Sequence, residues 1–245
     1  MSERFVERTV LVTGATGGLG SAIAERLVAE SASVALTDVD GEACTRLADD
    51  LGGDALALTL DVTDENGWRA AVDAVESRWG GLDVLVNNAG IGSTGTVEDE
   101  SRERWDDVVA VDQLGTWLGM RQAGPLIERS GGGAIVNIAS ILGATGGLAN
   151  SFSYAAAKGA VRSMTLNAAL HWATRGVRVN AVVPAFIGTP QLVERFGGTE
   201  RHAAMLANTP MGRLGRPAEV AFLACDDSGY TTGSEVFVDG GWSAR

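Results

Sequence analysis

The hydrophobic positions of the chain fall into two alternating kinds of segment. Short runs such as Val84-Leu85-Val86 and Ala134-Ile135-Val136 are apolar at consecutive positions, which is typical of strands covered on both faces. The longer segments between them repeat apolar residues at helical spacing. This alternation predicts an α/β fold: a doubly wound parallel sheet of about seven strands with helices on both faces, in a single domain spanning residues 1–245.

The pattern predicts strands at residues 9–13, 33–38, 55–60, 84–87, 134–138, 177–182 and 235–238. It predicts helices at residues 18–30, 41–51, 65–79, 102–129, 154–175 and 217–224. In a doubly wound sheet, ligands bind beyond the carboxyl ends of the strands. The residues at which strands end are therefore the first candidates for function.

A glycine-rich turn at residues 13–20, TGATGGLG, joins the first strand to the first helix. So tight a turn requires positive φ angles and lets the backbone approach a ligand closely. The helix that follows directs its unpaired N–H groups at the same space, so a pyrophosphate is the expected occupant of a cradle formed with Leu19. The spacing of Gly14, Gly18 and Gly20 differs from the common dinucleotide fingerprint, and a glycine turn without a ligand stays open as an alternative.

Asp38 ends the second strand, close to where a dinucleotide fold places an acid on the adenosine ribose. A carboxylate there accepts hydrogen bonds from both ribose hydroxyls and repels a 2′-phosphate. The next residues are Val39 and Asp40, with no Arg or Lys among them. The sequence therefore favours NAD over NADP as the cofactor. The alternative is that Asp38 caps the helix starting near Gly41, which would not exclude ribose binding.

The third and fourth strands also end in short polar residues. Asp61 is followed by Val62, and Asn88 by Ala89 and Gly90. A short polar residue beside a small apolar one suits the edge and face of an adenine, and the two small residues at 89 and 90 leave room for a ribose. The alternative is that the side chains at 61 and 88 satisfy loop backbone groups.

The fifth strand ends at Ser140, and Tyr154 and Lys158 follow at helical i, i+4 spacing, so that their side chains share one helix face. A phenol with a pKa of roughly 10 is a poor general base near neutral pH. The adjacent ammonium group is expected to lower the pKa of Tyr154 and so make proton transfer efficient. Ser140 could hydrogen-bond the substrate oxygen. By itself, Y-x-x-x-K often arises by chance on helices.

Composition excludes several classes of function. A formal net charge of −12 disfavours nucleic acid as a partner. No apolar run reaches the ~20 residues of a membrane helix, and the mixed charges at the N-terminus leave no room for a signal peptide. A cytoplasmic protein without membrane contact is expected. Cys44, Cys225, His171 and His202 offer neither a disulfide framework nor a metal site, and both cysteines are expected to be buried and reduced.

Together and in this order, these residues resemble the short-chain dehydrogenase/reductase family, whose members have a Rossmann-type fold. The resemblance covers residues 9–241. It rests on the glycine turn with Asp38, Asp61-Val62, Asn87 to Gly90, Ser140, Tyr154 with Lys158, the strand ending at Pro184, and Val238-Asp239-Gly240-Gly241. Residues 140–143 and 208–213 are similar to the corresponding segments of bacterial NAD-dependent secondary-alcohol and hydroxysteroid dehydrogenases.

The resemblance implies a role for each site residue. Tyr154 would be the acid/base toward the substrate oxygen and Ser140 would orient that oxygen. Lys158 would bind the nicotinamide ribose and lower the pKa of Tyr154. Ile187 and Thr189 match positions that hold the nicotinamide carboxamide. The hydride passes between cofactor and substrate, so the protein supplies positioning and electrostatics. The family also implies a homo-oligomer, either a dimer or a tetramer.

The catalytic Asn of the family falls on Asp112 in this chain. That Asn bends its helix and holds a water that links the lysine to solvent. An Asp has the same shape but adds a negative charge and lacks the NH₂ donor. Our hypothesis is that the water relay survives with Asp112 as an acceptor.

Three further departures concern loops and the last helix. The spacing from Ser140 to Tyr154 is about one residue longer than usual, so the loop at 143–153 is expected to bulge, and Ala185 replaces a Gly. The segment at 216–225 is shorter by roughly one helical turn. In the family this last helix helps to build a subunit interface, so a tetramer is less secure here.

Substrate specificity is expected in the loop at 143–153 and in residues 184–213, which would form a substrate-binding lid. These segments carry the apolar residues Leu142, Leu148, Phe152, Phe186 and Leu192 at or beside them. An apolar pocket suits a hydrophobic alcohol or ketone, a hydroxysteroid among them, better than a phosphorylated or carboxylated one. The alternative is that these side chains simply hold the lid down.

Two other functions stay open. The first is a 3-oxoacyl thioester reductase, which would use NADPH and receive an acidic carrier protein; Asp38 and the acidic charge disfavour it. The second is a cofactor-binding regulatory protein with degraded catalysis, which the intact Ser140, Tyr154 and Lys158 disfavour.

Overall fold

The computed structural model describes residues 4–219 and 228–244. Within them, seven parallel strands form one sheet in the order β3-β2-β1-β4-β5-β6-β7. The strands are β1 Thr9–Thr13, β2 Ser33–Asp38, β3 Ala55–Thr59, β4 Val84–Asn87, β5 Gly133–Ile138, β6 Val177–Pro184 and β7 Glu235–Val238. The predicted Rossmann-type sheet is confirmed, and every strand lies within two residues of its predicted bounds.

Helices cover both faces of this sheet. They are α1 Gly18–Ala29, α2 Gly41–Leu51, α3 Glu65–Trp79, α4 Arg102–Val108, α5 Gly115–Arg129, α6 Phe152–Trp172, α7 Pro190–Phe196 and α8 Glu200–Ala207. Successive strand residues point to opposite faces. Accordingly Val10 and Val12 pack in the core beneath α1 and α2, whereas Leu11 packs in the core beneath α3, α5 and α6. Among the described helices, none combines the length and apolarity needed to cross a bilayer.

The helix predicted at 102–129 is interrupted. Between α4 and α5, residues Val109–Leu114 form a π-helical turn, which sequence periodicity over so short a stretch does not reveal. Such a turn inserts an extra residue into the helix, and it contains the fully buried Asp112. The hydroxyl of Thr116 donates to the carbonyl of Asp112 over 2.7 Å, and Gly115 packs so closely that an added Cβ would lie 2.7 Å from Val62.

The region at 184–213 contains two short helices that the sequence analysis did not predict, α7 and α8. Each begins at a threonine cap, Thr189 and Thr199, and each is too short for a clear helical periodicity. In the loop at 143–153, before α6, the chain turns at Gly147 and Ala149, both in the left-handed region with φ of 56° and 59°. Ala149 is strained by that conformation.

The last predicted helix, at 217–224, falls largely outside the described residues. Its first residues, Pro217–Glu219, form a 3₁₀ turn. The expected shortening at 216–225 and the predicted burial of Cys225 also lie outside the described residues. Cys44 is buried as predicted, and burial raises the pKa of its thiol to about 11, with smaller contributions from the carboxylates of Asp38 and Asp40.

Candidate active site

A cavity of about 940 Å³ opens at the carboxyl ends of the strands. All the predicted site residues contribute to its wall except Ser140, Asp112 and Ile187. Ile187 is buried and pairs through its backbone with Gly215. The wall also includes Thr16, Asp107, Val111 and Gln191, which the sequence analysis missed. Nothing in the described part of the chain groups three or more potential metal ligands.

The glycine turn has the close backbone packing that its sequence predicts. Gly14 has a φ of 61°, and an added Cβ at Gly20 would lie 2.1 Å from the carbonyl oxygen of Gly14. Helix α1 starts after Gly17 without any side-chain cap, whereas α2, α3, α4, α7 and α8 are each capped by a side-chain oxygen. The first N–H groups of α1 therefore face the cavity with no side-chain acceptor, which fits an anionic diphosphate.

Asn88 holds the glycine turn in place. Its amide group donates to the carbonyl oxygens of Thr13 and Gly14 over 2.9 and 3.0 Å. The hydroxyl of Thr13 in turn accepts from the backbone N–H groups of Asn88 and Ala89. The NH₂ group of Asn88 is thus bound to backbone carbonyl groups, which is the alternative that the sequence left open. Asn88 would contribute to a nucleotide site by shaping its wall.

Asp38 is oriented by Thr16, whose hydroxyl donates to Oδ2 over 2.6 Å and whose backbone N–H donates over 3.2 Å. The cap of α2 is instead Asp40, which accepts from the backbone N–H of Ala43. Asp38 therefore does not cap α2, and its Oδ1 makes no hydrogen bond within the described residues. The carboxylate of Asp61 accepts from Thr63 through Oδ1 only.

Tyr154, Lys158 and Ser140 come together at one end of the cavity. The ammonium of Lys158, the only lysine in the sequence, donates to the carbonyl of Ile138 over 2.9 Å and lies 5.7 Å from the centroid of the Tyr154 ring. Ser140 is buried, its hydroxyl accepts from the backbone N–H of Leu142, and it lies close enough to Tyr154 to lower the pKa of that phenol. The arrangement can bind an oxygen and exchange a proton with it.

Asp112 faces the lysine from the π-helical turn. Its Oδ1 accepts from the backbone N–H of Ile91 over 2.8 Å, and its Oδ2 lies 3.3 Å from Nζ of Lys158 in a buried ion pair. Gly90 packs against both groups, because an added Cβ would lie 2.8 Å from Oδ2 of Asp112 and 3.3 Å from Nζ. Oδ2 has no hydrogen-bond partner within the described residues.

Burial and neighbouring charges together shift the pKa values of Tyr154, Asp112 and Lys158. Burial raises the pKa of Tyr154 above 10, the charge of Asp112 raises it further, and Lys158 and Ser140 lower it without reversing the shift. Burial also raises the pKa of Asp112. For Lys158, burial lowers the pKa but Asp112 and Tyr154 outweigh it, so the ammonium is retained. The ammonium of Lys158 thus lowers the pKa of Tyr154 as predicted, but burial outweighs it and the pKa of the phenol lies above its ordinary value, which the sequence analysis did not foresee.

The apolar residues expected near the substrate form one cluster, except for Phe152. Buried Ile141, Phe186, Met205 and Trp242 pack with Leu142, Leu148, Leu192 and Phe196. Phe152 is exposed and lies against Trp105, with ring centroids 5.9 Å apart. The cluster joins α7 and α8 to the loop after β5, as expected if these side chains hold this segment down.

Comparisons with known proteins agree with this geometry. A family model described as enoyl-(acyl carrier protein) reductase matches residues 14–243. The cis-4-hydroxycyclohexanecarboxylate dehydrogenase of Sinomonas cyclohexanicum is 42% identical, with 100% of both chains covered. The 3-alpha-(or 20-beta)-hydroxysteroid dehydrogenase of Mycobacterium tuberculosis is 38% identical over 98% of this chain and 91% of its own. The crystal structure of levodione reductase superposes with a TM-score of 0.92 at 35% identity, covering 99% of this chain and 100% of the other.

Proposed function

Because the chain belongs to the short-chain dehydrogenase/reductase family, we propose that it is an NAD(H)-dependent oxidoreductase that interconverts a hydrophobic secondary alcohol and its ketone. The observation that carries the proposal is the meeting of Tyr154, Ser140 and Lys158 at one end of a cavity whose other end holds the glycine turn and Asp38. Relatives named for hydroxycyclohexanecarboxylate and hydroxysteroid substrates favour an alcohol on a saturated ring.

The residues of the cavity fit a nicotinamide dinucleotide. The turn from Gly14 to Gly20 would hold the diphosphate, and Lys158 the nicotinamide ribose. Thr189 would hold the carboxamide through its own groups, and Ile187 only through its backbone, since its side chain is buried away from the cavity wall. The remaining contacts of the adenosine half would come from Leu19, Asp38, Val39, Asp61, Val62, Asn88, Ala89 and Gly90. When bound, the cofactor accepts or donates the hydride.

The protein's own residues would manage the proton. During oxidation, Tyr154 takes the proton of the substrate hydroxyl while Ser140 holds the oxygen by a hydrogen bond. The ammonium of Lys158 favours the phenolate form that this step requires. Asp112 keeps that ammonium charged and, by our hypothesis, accepts a hydrogen bond from a water that carries the proton to solvent.

The choice of NAD rests on an acidic border around the ribose position. Asp38 faces the cavity, and Asp40 and Glu42 line the adjoining depression. A 2′-phosphate would meet these carboxylates with no described arginine in the wall of either space to compensate. One unfavourable charge pair at the edge of a protein is worth about 1 kcal/mol or more.

We therefore expect cyclohexanol and larger cyclic secondary alcohols to be oxidised with NAD⁺, with kcat/KM about tenfold or more above the value with NADP⁺. Absorbance of the reduced cofactor measures both rates. Preference for NADP⁺, or reduction of a 3-oxoacyl thioester with no activity on cyclic alcohols, would contradict the proposal. The second outcome is the thioester reductase that the sequence left open.

We also propose that residues 184–213 form a substrate-binding lid. This segment carries Arg195 on an exposed surface of α7, next to the apolar cluster. Trypsin should cut after Arg195 more slowly when NADH is bound, because the start of α7 packs on the glycine turn: a Cβ at Gly18 would lie 2.8 Å from Thr189. Cleavage at the exposed Arg102, outside the lid, serves as the control. Equal protection at both sites would count against a lid.

Homo-oligomer formation and a cytoplasmic location stay predictions. Exposed apolar side chains on α5 and α6, including Trp117, Leu166 and Leu170, support association with a second copy.

A further inference from the structure

Two arginines of the proposed lid have no acidic partner in the part of the chain that the structure describes. Arg195 on α7 and Arg201 on α8 both lie over the ring of Phe196, each with its guanidinium carbon 5.1 Å from the ring centroid. No carboxylate of the described residues lies within 4.0 Å of either guanidinium. Burial and the like charge of Arg195 lower the pKa of Arg201. In a protein with a net charge of −12, such a pair is an uncompensated positive site.

The guanidinium of Arg201 is held in place by neutral acceptors. It donates to the side-chain oxygen and the backbone carbonyl of Asn150 and, over 3.1 Å, to the hydroxyl of Ser151. Its Nε is buried and has no hydrogen-bond partner among the described residues. A buried donor without an acceptor destabilises the folded state, so each one calls for an explanation. One edge of the guanidinium is thus fixed, and a buried donor on it is left without an acceptor among the described residues.

These arginines lie beside the site where the substrate is expected. Ser151 precedes the first turn of α6, which contains Tyr154. Phe196, whose ring lies under both guanidinium groups, packs in the same apolar cluster as Leu192. Leu192 in turn lines the cavity. The positive pair therefore lies at the border of an apolar cluster, and Arg201 contacts a residue three positions before the catalytic tyrosine.

We propose that Arg201, assisted by Arg195, binds a carboxylate on the substrate, at the end remote from the hydroxyl that is oxidised. This inference rests on the proposed function and narrows its substrate to a hydroxy acid in which an apolar ring or chain separates the two groups. The planar guanidinium presents donors in a fork that matches a carboxylate. The expectation of an uncharged substrate, which came from the apolar lining alone, is replaced by that of an apolar body with one anionic end.

The test compares cis-4-hydroxycyclohexanecarboxylate with its methyl ester, which differ in charge but hardly in shape. The wild-type protein should have a kcat/KM roughly 10- to 100-fold higher for the acid than for the ester. Arg201→Gln should remove that preference by raising KM for the acid far more than KM for the ester. Arg201→Lys should recover part of it because the charge is restored, and Arg129→Gln, at an exposed site on α5, should keep the full preference.

Two outcomes would overturn the inference. One is equal use of acid and ester by the wild-type protein. The other is an equal loss on both substrates in Arg201→Gln with an unchanged melting temperature, which would mean that Arg201 only ties α8 to the loop at Asn150. Calorimetric titration of cyclohexanecarboxylate in the presence of NADH decides the matter without turnover: binding lost in Arg201→Gln supports the inference, and no binding to the wild type rejects it. Failure to oxidise any cyclic alcohol rejects the proposed function instead.

Discussion

Replacing Tyr154 by phenylalanine is expected to lower kcat by about 10³-fold while NADH still binds, because the side chain keeps its ring but loses the group that exchanges the proton. Both Ser140 and the ammonium of Lys158 lie close enough to lower the pKa of this phenol, and the described cavity offers no other phenol to replace it. Steady-state oxidation of a cyclic alcohol gives kcat, and quenching of protein fluorescence by NADH gives the affinity.

The second tyrosine of the chain supplies the matched control. Tyr230 is fully exposed and should be replaceable by phenylalanine without effect. Activity of Tyr154→Phe above a tenth of the wild-type value would exclude the tyrosine as the acid/base. A wild-type protein that binds NADH but oxidises nothing would instead favour the cofactor-binding regulatory protein.

Replacing Asp112 by asparagine is expected to move the pH–rate profile of oxidation to lower pH. Oxidation requires the phenolate, so the rate rises as the pH passes upward through the pKa of Tyr154. The charge of Asp112 raises that pKa, and its removal therefore lowers it, given that Lys158 keeps its ammonium charge with Tyr154 alone beside it. An asparagine can still accept from Ile91, so we expect the maximal rate to stay within roughly tenfold of the wild type.

The phenol can be titrated directly because the chain has two tyrosines. In a Tyr230→Phe background, ultraviolet absorbance follows Tyr154 alone, and Asp112→Asn should shift its titration in the same direction as the rate profile. Asp106→Asn is the control, since Asp106 is exposed and paired with Arg102. An unchanged profile would show that the charge is irrelevant, a shift to higher pH would contradict the assigned sign, and a large gain in rate would show that the native site is impaired.

The sequence predicts the sheet well because a strand that is buried on both faces needs apolar residues at consecutive positions. Runs such as Val84 to Val86 are apolar at every position, which few other environments require. The π-helical turn at Val109–Leu114 has no comparable sequence pattern, because one inserted residue changes the helical spacing of apolar positions over only a few residues. Helices α7 and α8 were missed for a related reason: each spans only about two turns.

For the site, residue types and spacing identify the candidates but not how each group is used. The sequence could not decide whether Asp38 or Asp40 caps α2, and the structure assigns the cap to Asp40. It could not show that the amide of Asn88 is bound to the glycine turn. Nor could it distinguish Arg201 from other arginines, because the absence of an acidic partner depends on contacts between segments that are distant along the chain.

Engineering this protein for heat resistance would meet a conflict at the helix that carries Asp112. A design that makes the helix regular would delete one residue between Val109 and Leu114. The resulting unbroken α-helix is the more regular and more stable backbone. The deletion would rotate the following residues by about 100° relative to the preceding ones. The carboxylate and the packing of Gly115 on Val62 cannot both survive that rotation, so a sturdier scaffold would be obtained at the expense of turnover.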